Sequence, residues 1–330
     1  MKFRFGPDFP KETYVPHGYP EQTVDLGEIE MNYVVSGPAQ APALLLIPGQ
    51  TESWWGYEKV TPLLDKDFRI YAVDLRGQGR SSRTPGRYTV DNMGNDLVRF
   101  IQTAIGKATI VAGLSSGGVL SCWLSAYAPP GLVRGVYCED APLFSSEVTP
   151  ACGPSIRQVA YSILFALRVK YLGDQWSVGD WNGMVDAAAV ALPEAIAHLA
   201  PKGAEPPQNL KEYDPEWARA FLSGTATINC DQAQMLRKVK VPVLFTHHFR
   251  KVNAIDGTLM GAVSDLQVDH ARRLIEAAGQ PFEYHSFPEA GHFLHEINPA
   301  LYVATLLPWT KTLDATPVPP QLEIDKAFVR

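Results

Sequence analysis

Apolar positions along the chain follow two recurring patterns. Short uninterrupted runs ("APALLLIPG", "RIYAVDL", "ATIVAG", "VRGVYCED", "VPVLFTHH") alternate with longer segments whose apolar residues return every three or four positions ("YEKVTPLLDKDF", "TVDNMGNDLVRFIQTAI", "SGGVLSCWLSAYA", "SDLQVDHARRLIEAAG"). Runs of the first kind predict strands covered on both faces, and segments of the second kind predict helices lying on them. A Thr/Asp cap signal opens "TVDNMGNDL", and Pro129-Pro130 stops the helix that begins "SGG". Upstream, "QTVDLGEIEMNYVVSG" reads as a hairpin or two short strands around Gly27. Downstream, "PFEYHSFPEAGH" reads as a late strand and residues 297–312 as a closing helix. Strand–helix alternation of this kind predicts an α/β fold: a mostly parallel central sheet, flanked by helices and built from right-handed crossovers.

The rhythm breaks between residues 143 and 238. Helical stretches such as "IRQVAYSILFALRVKYL" and "MVDAAAVALPEAIAHLA" occur there without a convincing strand, punctuated by Trp176, Trp181, Pro206, Pro207 and Trp217. The expected organisation is therefore a core domain of residues 1–142 and 239–330, with a helical cap domain of residues 143–238 inserted after the strand that ends near Asp140. Residues 1–21 read as an arm over the surface, and "DATPVPPQLEIDKAFVR" as an extended tail. These segments are placed either to form a homodimer contact or to wrap their own subunit.

Composition narrows the function classes. The chain has 330 residues, 46% hydrophobic and 19% charged, enough for a sizeable core plus an insertion. A net charge of −6 without a basic cluster speaks against a nucleic-acid partner. No run approaches the ~18 apolar residues of a membrane span, and the N-terminus lacks an apolar signal region. The four cysteines, Cys122, Cys138, Cys152 and Cys230, form no C-x-x-C pair. That argues against zinc and for small core residues in a reducing compartment. A cytoplasmic, metal-free and cofactor-free protein is the expectation, with no membrane partner.

The candidate chemistry begins at Gly113-Leu114-Ser115-Ser116-Gly117, which fits G-x-S-x-G between an apolar run and an apolar helix. A serine there sits on a sharp strand-to-helix turn that lifts its hydroxyl above the sheet edge and aims the following N–H groups at the same point. A serine hydroxyl needs a base, and the base needs an orienting carboxylate. With chain order serine, acid, histidine, the late segment "SFPEAGHFLHEINP" supplies His292 on a loop, while His295 falls on the next helix as a packing or capping residue. For the acid, three positions stay open. Asp140 is favoured because Val136, Cys138 and Asp140 share a strand face by period two and Asp140 stands at the carboxyl edge. Glu139 is second and Asp256 third. The oxyanion donors are expected to be the N–H groups of Ser116 and of Gln50, which follows the turn at Pro48-Gly49.

The succession "LLLIPGQTESWW", "VDLRGQGRSS", "GLSSGG", "CEDAP" and "EAGHFLHEINP" resembles the α/β-hydrolase superfamily across nearly the whole chain. More narrowly, "DLGEIEMNY", "SSGGVLSCWLSAYAPPG", "CEDAPLF", "LGDQWSVGDW" and "NLKEYDPEWARAF" resemble the zearalenone hydrolases, lactonases that open a resorcylic acid macrocyclic ester. That resemblance implies Ser115 as nucleophile, His292 as base and the acid at Asp140, with Glu139 one residue away. It also implies a substrate contact for Trp217 in "PEWARAF". The chain departs from many superfamily members in reading Pro48-Gly49 where they read His-Gly, so a differently shaped oxyanion loop is expected. An apolar aromatic ester calls for a wide apolar pocket. Gly49, Trp54, Trp55, Trp176, Trp181, Tyr213 and Trp217 are the candidate lining. The expected activity is a cofactor-free serine hydrolase, a carboxylic ester hydrolase of the lactonase type. The alternatives are a general carboxylesterase, a cofactor-independent haloperoxidase, or a hydrolase-like receptor. Haloalkane dehalogenases and epoxide hydrolases need aspartate where Ser115 stands.

Overall fold

The computed structural model describes residues 15–144, 157–158, 160–192, 197, 200–252, 254 and 258–313. Asp256, Cys152, the first fourteen residues and the tail from Asp314 lie outside the described residues.

The strands are β1 (Glu21–Asp25), β2 (Glu30–Ser36), β3 (Ala43–Ile47), β4 (Arg69–Val73), β5 (Thr109–Leu114), β6 (Val133–Glu139), β7 (Arg157–Gln158), β8 (Val243–His247), β9 (Arg250–Val252), β10 (Thr258–Gly261) and β11 (Phe282–Ser286). The helices are α1 (Thr61–Leu64), α2 (Val90–Phe100), α3 (Ser116–Tyr127), α4 (Ala160–Tyr171), α5 (Trp181–Ala191), α6 (Gln208–Lys211), α7 (Glu216–Ser223), α8 (Gln232–Leu236), α9 (Asp265–Ala277), α10 (Leu294–Ile297) and α11 (Pro299–Leu313).

Eight strands form one sheet in the order β1-β2-β4-β3-β5-β6-β8-β11. The hairpin strands β1 and β2 and the β2–β4 pair run antiparallel, and every pair from β4 to β11 runs parallel. Every residue of β3, β5 and β8 is buried, as strands sandwiched between helix layers must be. Alternation then sorts the side chains. Leu45, Ile47, Val111, Val136, Cys138 and Phe245 face one hydrophobic cluster, and Leu44, Leu46, Ile110, Ala112, Tyr137 and Leu244 face the other. The first cluster takes in α2, α3 and α9, the second α1 and α11. Cys122 and Cys138 are both buried in the first, with their sulfurs 3.4 Å apart as free thiols.

Local chemistry sets the helix starts. The Thr89 side chain caps α2 by accepting from Asn92 N–H at 3.1 Å. Ser264 and Gln267 form a reciprocal capping box at α9. Between β6 and β8, helices α4, α5, α6 and α7 form the inserted layer, and α8 returns to pack against α3 and α9. One strand was not expected in this segment. β7 pairs in parallel with β10, which pairs antiparallel with β9, making a separate three-stranded sheet. Two residues are too short to leave an alternation in the sequence.

Candidate active site

Ser115 stands at the junction of β5 and α3 with φ 52° and ψ −118°, a left-handed conformation rarely taken by a residue with a side chain. Such strain is of order 1–3 kcal/mol and persists only when the surroundings impose it. They do so here. The Ser115 N–H donates to the Glu139 carbonyl at 2.8 Å, and its own carbonyl accepts from Gly118 and Val119 at 2.9 and 3.2 Å. The turn is also too tight for side chains beside it. A Cβ on Gly113 would lie 2.2 Å from the Gly117 carbonyl carbon, and one on Gly117 would lie 2.4 Å from the Ile47 carbonyl oxygen.

Asp140 follows the last residue of β6, with φ 44°. Its N–H donates to the Thr246 carbonyl at 2.8 Å, which keeps it in register with β8 while the positive φ swings the side chain off the strand. Its Oδ2 lies 2.6 Å from His292 Nδ1, and its Oδ1 accepts from His248 N–H at 3.1 Å. Burial pushes this carboxyl up, but the His292 hydrogen bond and charge, with help from His248, hold it below the ordinary 3.8. The His292 loop is pinned in turn: Phe249 N–H donates to the Ala290 carbonyl at 3.0 Å, and His248 Nδ1 lies 3.2 Å from the His292 carbonyl oxygen. Nδ1 is thus the ring atom that Asp140 engages.

Ser115 and His292 line one cavity with Gln50, Thr51, Ser116, Pro142, Phe165, Arg168, Phe221 and Phe293. It encloses about 560 Å³, counting the part open to solvent. The Gly49–Glu52 loop borders this cavity through Gln50 and Thr51. Gly49 N–H donates to Glu52 Oε2 at 3.1 Å, Gly49 carbonyl accepts from Gln78 Nε2 at 3.2 Å, and Thr51 adopts φ 66°. Among the described residues no acceptor takes the N–H of Gln50, and Ser116, as the first residue of α3, has no helical partner for its own. Both N–H groups belong to residues lining the cavity.

Glu139 goes elsewhere. It shares the Tyr137 face of β6, is fully buried, and binds His295, whose N–H and Nδ1 lie 3.0 and 2.9 Å from its carboxyl oxygens. The structure thus pairs Asp140, not Glu139, with His292.

Of the expected lining residues, Gln50 and Ser116 reach the cavity and the aromatic set does not. Trp54, Trp176, Trp181, Tyr213 and Trp217 are buried. Trp54 Nε1 donates to Glu21, Trp176 Nε1 to the Gly79 carbonyl, Trp181 Nε1 to the Gly203 carbonyl and Trp217 Nε1 to the Arg76 carbonyl. Tyr213 OH accepts from Gln50 Nε2 at 2.6 Å. Trp55 Nε1 donates to Glu212 at 3.0 Å. Gly49 lies beside the elbow, where a Cβ would come 3.3 Å from Ser115 Cβ. The Trp55, Trp176, Tyr213 and Trp217 bonds join the inserted layer to the core, whereas Trp54 bonds within the core and Trp181 within the inserted segment; Asp214 reinforces the join by accepting from Arg83 Nε and Tyr88 OH. The physical reason is the indole N–H, which must find a partner when buried and finds it in backbone carbonyls or, for Trp54 and Trp55, in carboxylates.

Phenylalanine, with no polar atom, makes the wall instead. Phe221 stacks on Trp217 with ring centres 6.0 Å apart and packs on Phe165 at 5.5 Å. Arg168 lies over Phe165 and Tyr213, with its guanidinium 5.6 and 6.0 Å from their ring centres. Sequence reasoning missed Phe165, Arg168, Phe221, Phe293 and Pro142. A signal existed for the first two: an arginine three residues after a phenylalanine in a mostly apolar helix shares its face. Among the described residues no group of three or more His, Cys, Asp or Glu side chains is arranged to hold a metal ion. No helix among them is long and apolar enough to cross a membrane.

Known proteins agree with this architecture. Epoxide hydrolase 2 of Caenorhabditis elegans is 30% identical over 39% of this chain and 39% of its own length. 3-Oxoadipate enol-lactonase 2 of Acinetobacter baylyi is 31% identical over 33% of this chain and 41% of its own. The matches span about half or less of the length of these curated relatives. An esterase of Rhodococcus superposes with a TM-score of 0.63 at 21% identity, covering 89% of this chain and 99% of that one. The profile of the Alpha/beta hydrolase family matches residues 44–305, so the chain belongs to that family.

Proposed function

We propose that the protein is a serine-nucleophile carboxylic ester hydrolase acting on an apolar aromatic ester, with the macrocyclic lactone of zearalenone or a related resorcylic acid lactone as substrate. The observation that carries the reading is the 2.6 Å contact between Asp140 and His292 beside the cavity that Ser115 also lines. His292 Nε2 takes the Ser115 proton as the hydroxyl oxygen attacks the ester carbonyl. Asp140 holds the Nδ1–H and stabilises the imidazolium that forms. The N–H groups of Gln50 and Ser116 receive the developing oxyanion. Collapse of the adduct breaks the ester C–O bond, and His292 returns its proton to the departing alkoxide. In a lactone that alcohol stays tethered to the acyl group. Water, deprotonated by His292, then releases the acid and restores Ser115.

The substrate class is supported by three things. The extended sequence resemblance points to resorcylic lactones. The Phe165, Phe221 and Phe293 wall suits an apolar ring. Ester and lactone cleavage is also the activity named for the enol-lactonase relative and the esterase neighbour. Product analysis after incubation with zearalenone, beside turnover of p-nitrophenyl esters, tests the reading. The ring-opened hydroxy acid is the expected product, and Ser115→Ala is expected to abolish it. Fast p-nitrophenyl ester turnover with intact zearalenone would reduce the function to a general carboxylesterase. Full turnover by Ser115→Ala would remove the nucleophile from the mechanism.

A further inference from the structure

Beside the Ser115, His292 and Asp140 set lies a second group of titratable side chains that the mechanism above does not use. His295, in α10, donates its backbone N–H to Glu139 Oε1 at 3.0 Å and places Nδ1 2.9 Å from Glu139 Oε2. On its other side Nε2 forms an ion pair with Glu52 Oε1 at 3.5 Å. The second oxygen of Glu52 accepts the Gly49 N–H at 3.1 Å. Glu139 and His295 are 0% exposed and Glu52 is 7% exposed. Tyr57 stacks on the imidazole with ring centres 4.4 Å apart, and Tyr302 on α11 lies edge-on at 6.1 Å. A Cβ on Gly56 would come 3.3 Å from Glu52 Oε1, so the backbone packs close against the pair.

Burial alone drives an imidazole toward its neutral form. Here the two carboxylates overcome that and raise His295 to about 10. Removing either anion leaves a buried charge short of a partner, which is costly. The group is joined to three parts of the site. Gly49, held by Glu52, immediately precedes Gln50. Glu139 immediately precedes Asp140, and its carbonyl accepts the Ser115 N–H. His295 follows the His292 loop by three residues.

We propose that Glu52, His295 and Glu139 form a buried carboxylate–imidazolium–carboxylate brace that sets the spacing of the oxyanion loop, the strand end carrying Asp140 and the loop carrying His292, making Glu52 and His295 positioning residues for ester cleavage. The proposal rests on the serine-hydrolase reading. Misplacing a reacting group by about 1 Å costs on the order of 100-fold in rate. Loosening the Gly49–Gln50 turn is therefore expected to act on kcat rather than on substrate affinity.

The test uses Glu52→Gln and His295→Gln in the full chain. Glu52→Gln conserves volume and an acceptor for Gly49 but removes the charge, so it carries the test if His295→Gln fails to fold. Active sites are counted with a fluorophosphonate. The expected result is kcat per titrated site lower by about 10- to 100-fold, with KM within about 2-fold. A boronic acid that mimics the tetrahedral adduct should bind weaker in the same proportion. Unchanged kcat per site in the folded variants overturns the proposal, even if stability falls, because the group would then be only structural. A second readout does not depend on turnover. With nitrogen-labelled histidine, His295 should remain doubly protonated above neutral pH, and should lose that proton at lower pH in Glu52→Gln. A neutral His295 at neutral pH in the unmodified protein overturns the proposal regardless of activity. Ser115→Ala, assayed in parallel, shows separately whether the serine-hydrolase reading fails.

Discussion

Two histidines three residues apart meet carboxylates in opposite ways. The His292 side chain is 18% exposed, touches one carboxylate through Nδ1 and belongs to the cavity lining. The His295 side chain is 0% exposed and lies between two carboxylates, with aromatic rings over its face and edge. One carboxylate and a place in the cavity wall suit an imidazole to exchange a proton with a bound molecule. Two carboxylates and no access hold it as a cation. The same residue types thus suit proton transfer, as proposed, in one place and fixed charge in the other, and the position at the end of β6 separates the two acids. Glu139 continues the Tyr137 face of β6 toward His295, whereas Asp140 leaves the strand at positive φ toward His292.

The comparison is broken most directly by exchanging the acids for amides. Asp140→Asn should lower kcat by about 10³- to 10⁴-fold, since a neutral partner no longer stabilises the imidazolium. Glu139→Gln should cost about 10- to 100-fold, because it loosens a support rather than removing the orienting acid. Steady-state kinetics on a p-nitrophenyl ester, corrected for titrated sites, measures both. A larger loss in Glu139→Gln would reassign the acid and dissolve the distinction between the two pairs.

A smaller contrast separates the cavity wall from the join behind it. Phe221→Ala removes an apolar face from the cavity and should raise KM for an aromatic ester by about 10-fold. Trp217→Phe keeps the stacked ring but loses the hydrogen bond to the Arg76 carbonyl. It should leave KM within about 2-fold and lower unfolding stability by about 1 kcal/mol. Urea titration beside substrate-saturation curves reads the two effects, and a KM change in Trp217→Phe larger than in Phe221→Ala would move the indole into the binding surface.

What the sequence made legible follows from the range of the forces involved. Buried parallel strands need unbroken apolar runs, so the sheet and its crossovers could be read directly, and the glycines flanking Ser115 mark a turn too tight for side chains. The choice between Glu139 and Asp140 was different. Both neighbours stand where the strand ends, and alternation says only that they point apart. Which of the two meets His292 depends on how the histidine loop docks against β8, a long-range matter. The cap aromatics misled for a physical reason. An abundance of tryptophan signals burial, but only the folded chain shows which acceptor each buried indole meets, across the seam for Trp176 and Trp217 and within one layer for Trp54 and Trp181. The phenylalanines, needing none, face the cavity. Glu52 carried no signal of its own, since a carboxylate three residues beyond a turn reads as solvated until His295 is brought to it from the far end of the chain.

The smallest expected effect sharpens the contrast through stability. The Asp140 carboxyl sits below its ordinary 3.8 in the folded protein, so its contribution is present above that value and lost as pH falls through the folded value. His295 is raised from 6.5 to about 10, so its contribution is fully present below 6.5 and lost as pH rises through about 10. The two pairs therefore guard opposite ends of the pH range. Thermal unfolding of the unmodified protein, Asp140→Asn and His295→Gln across that range gives the measurement. The gap in Tm between the unmodified protein and Asp140→Asn should shrink on the acid side. The gap to His295→Gln should stay constant on the acid side and shrink on the alkaline side. If both gaps closed in acid, His295 would be a neutral packing residue, and the two imidazole pairs would differ in exposure but not in charge.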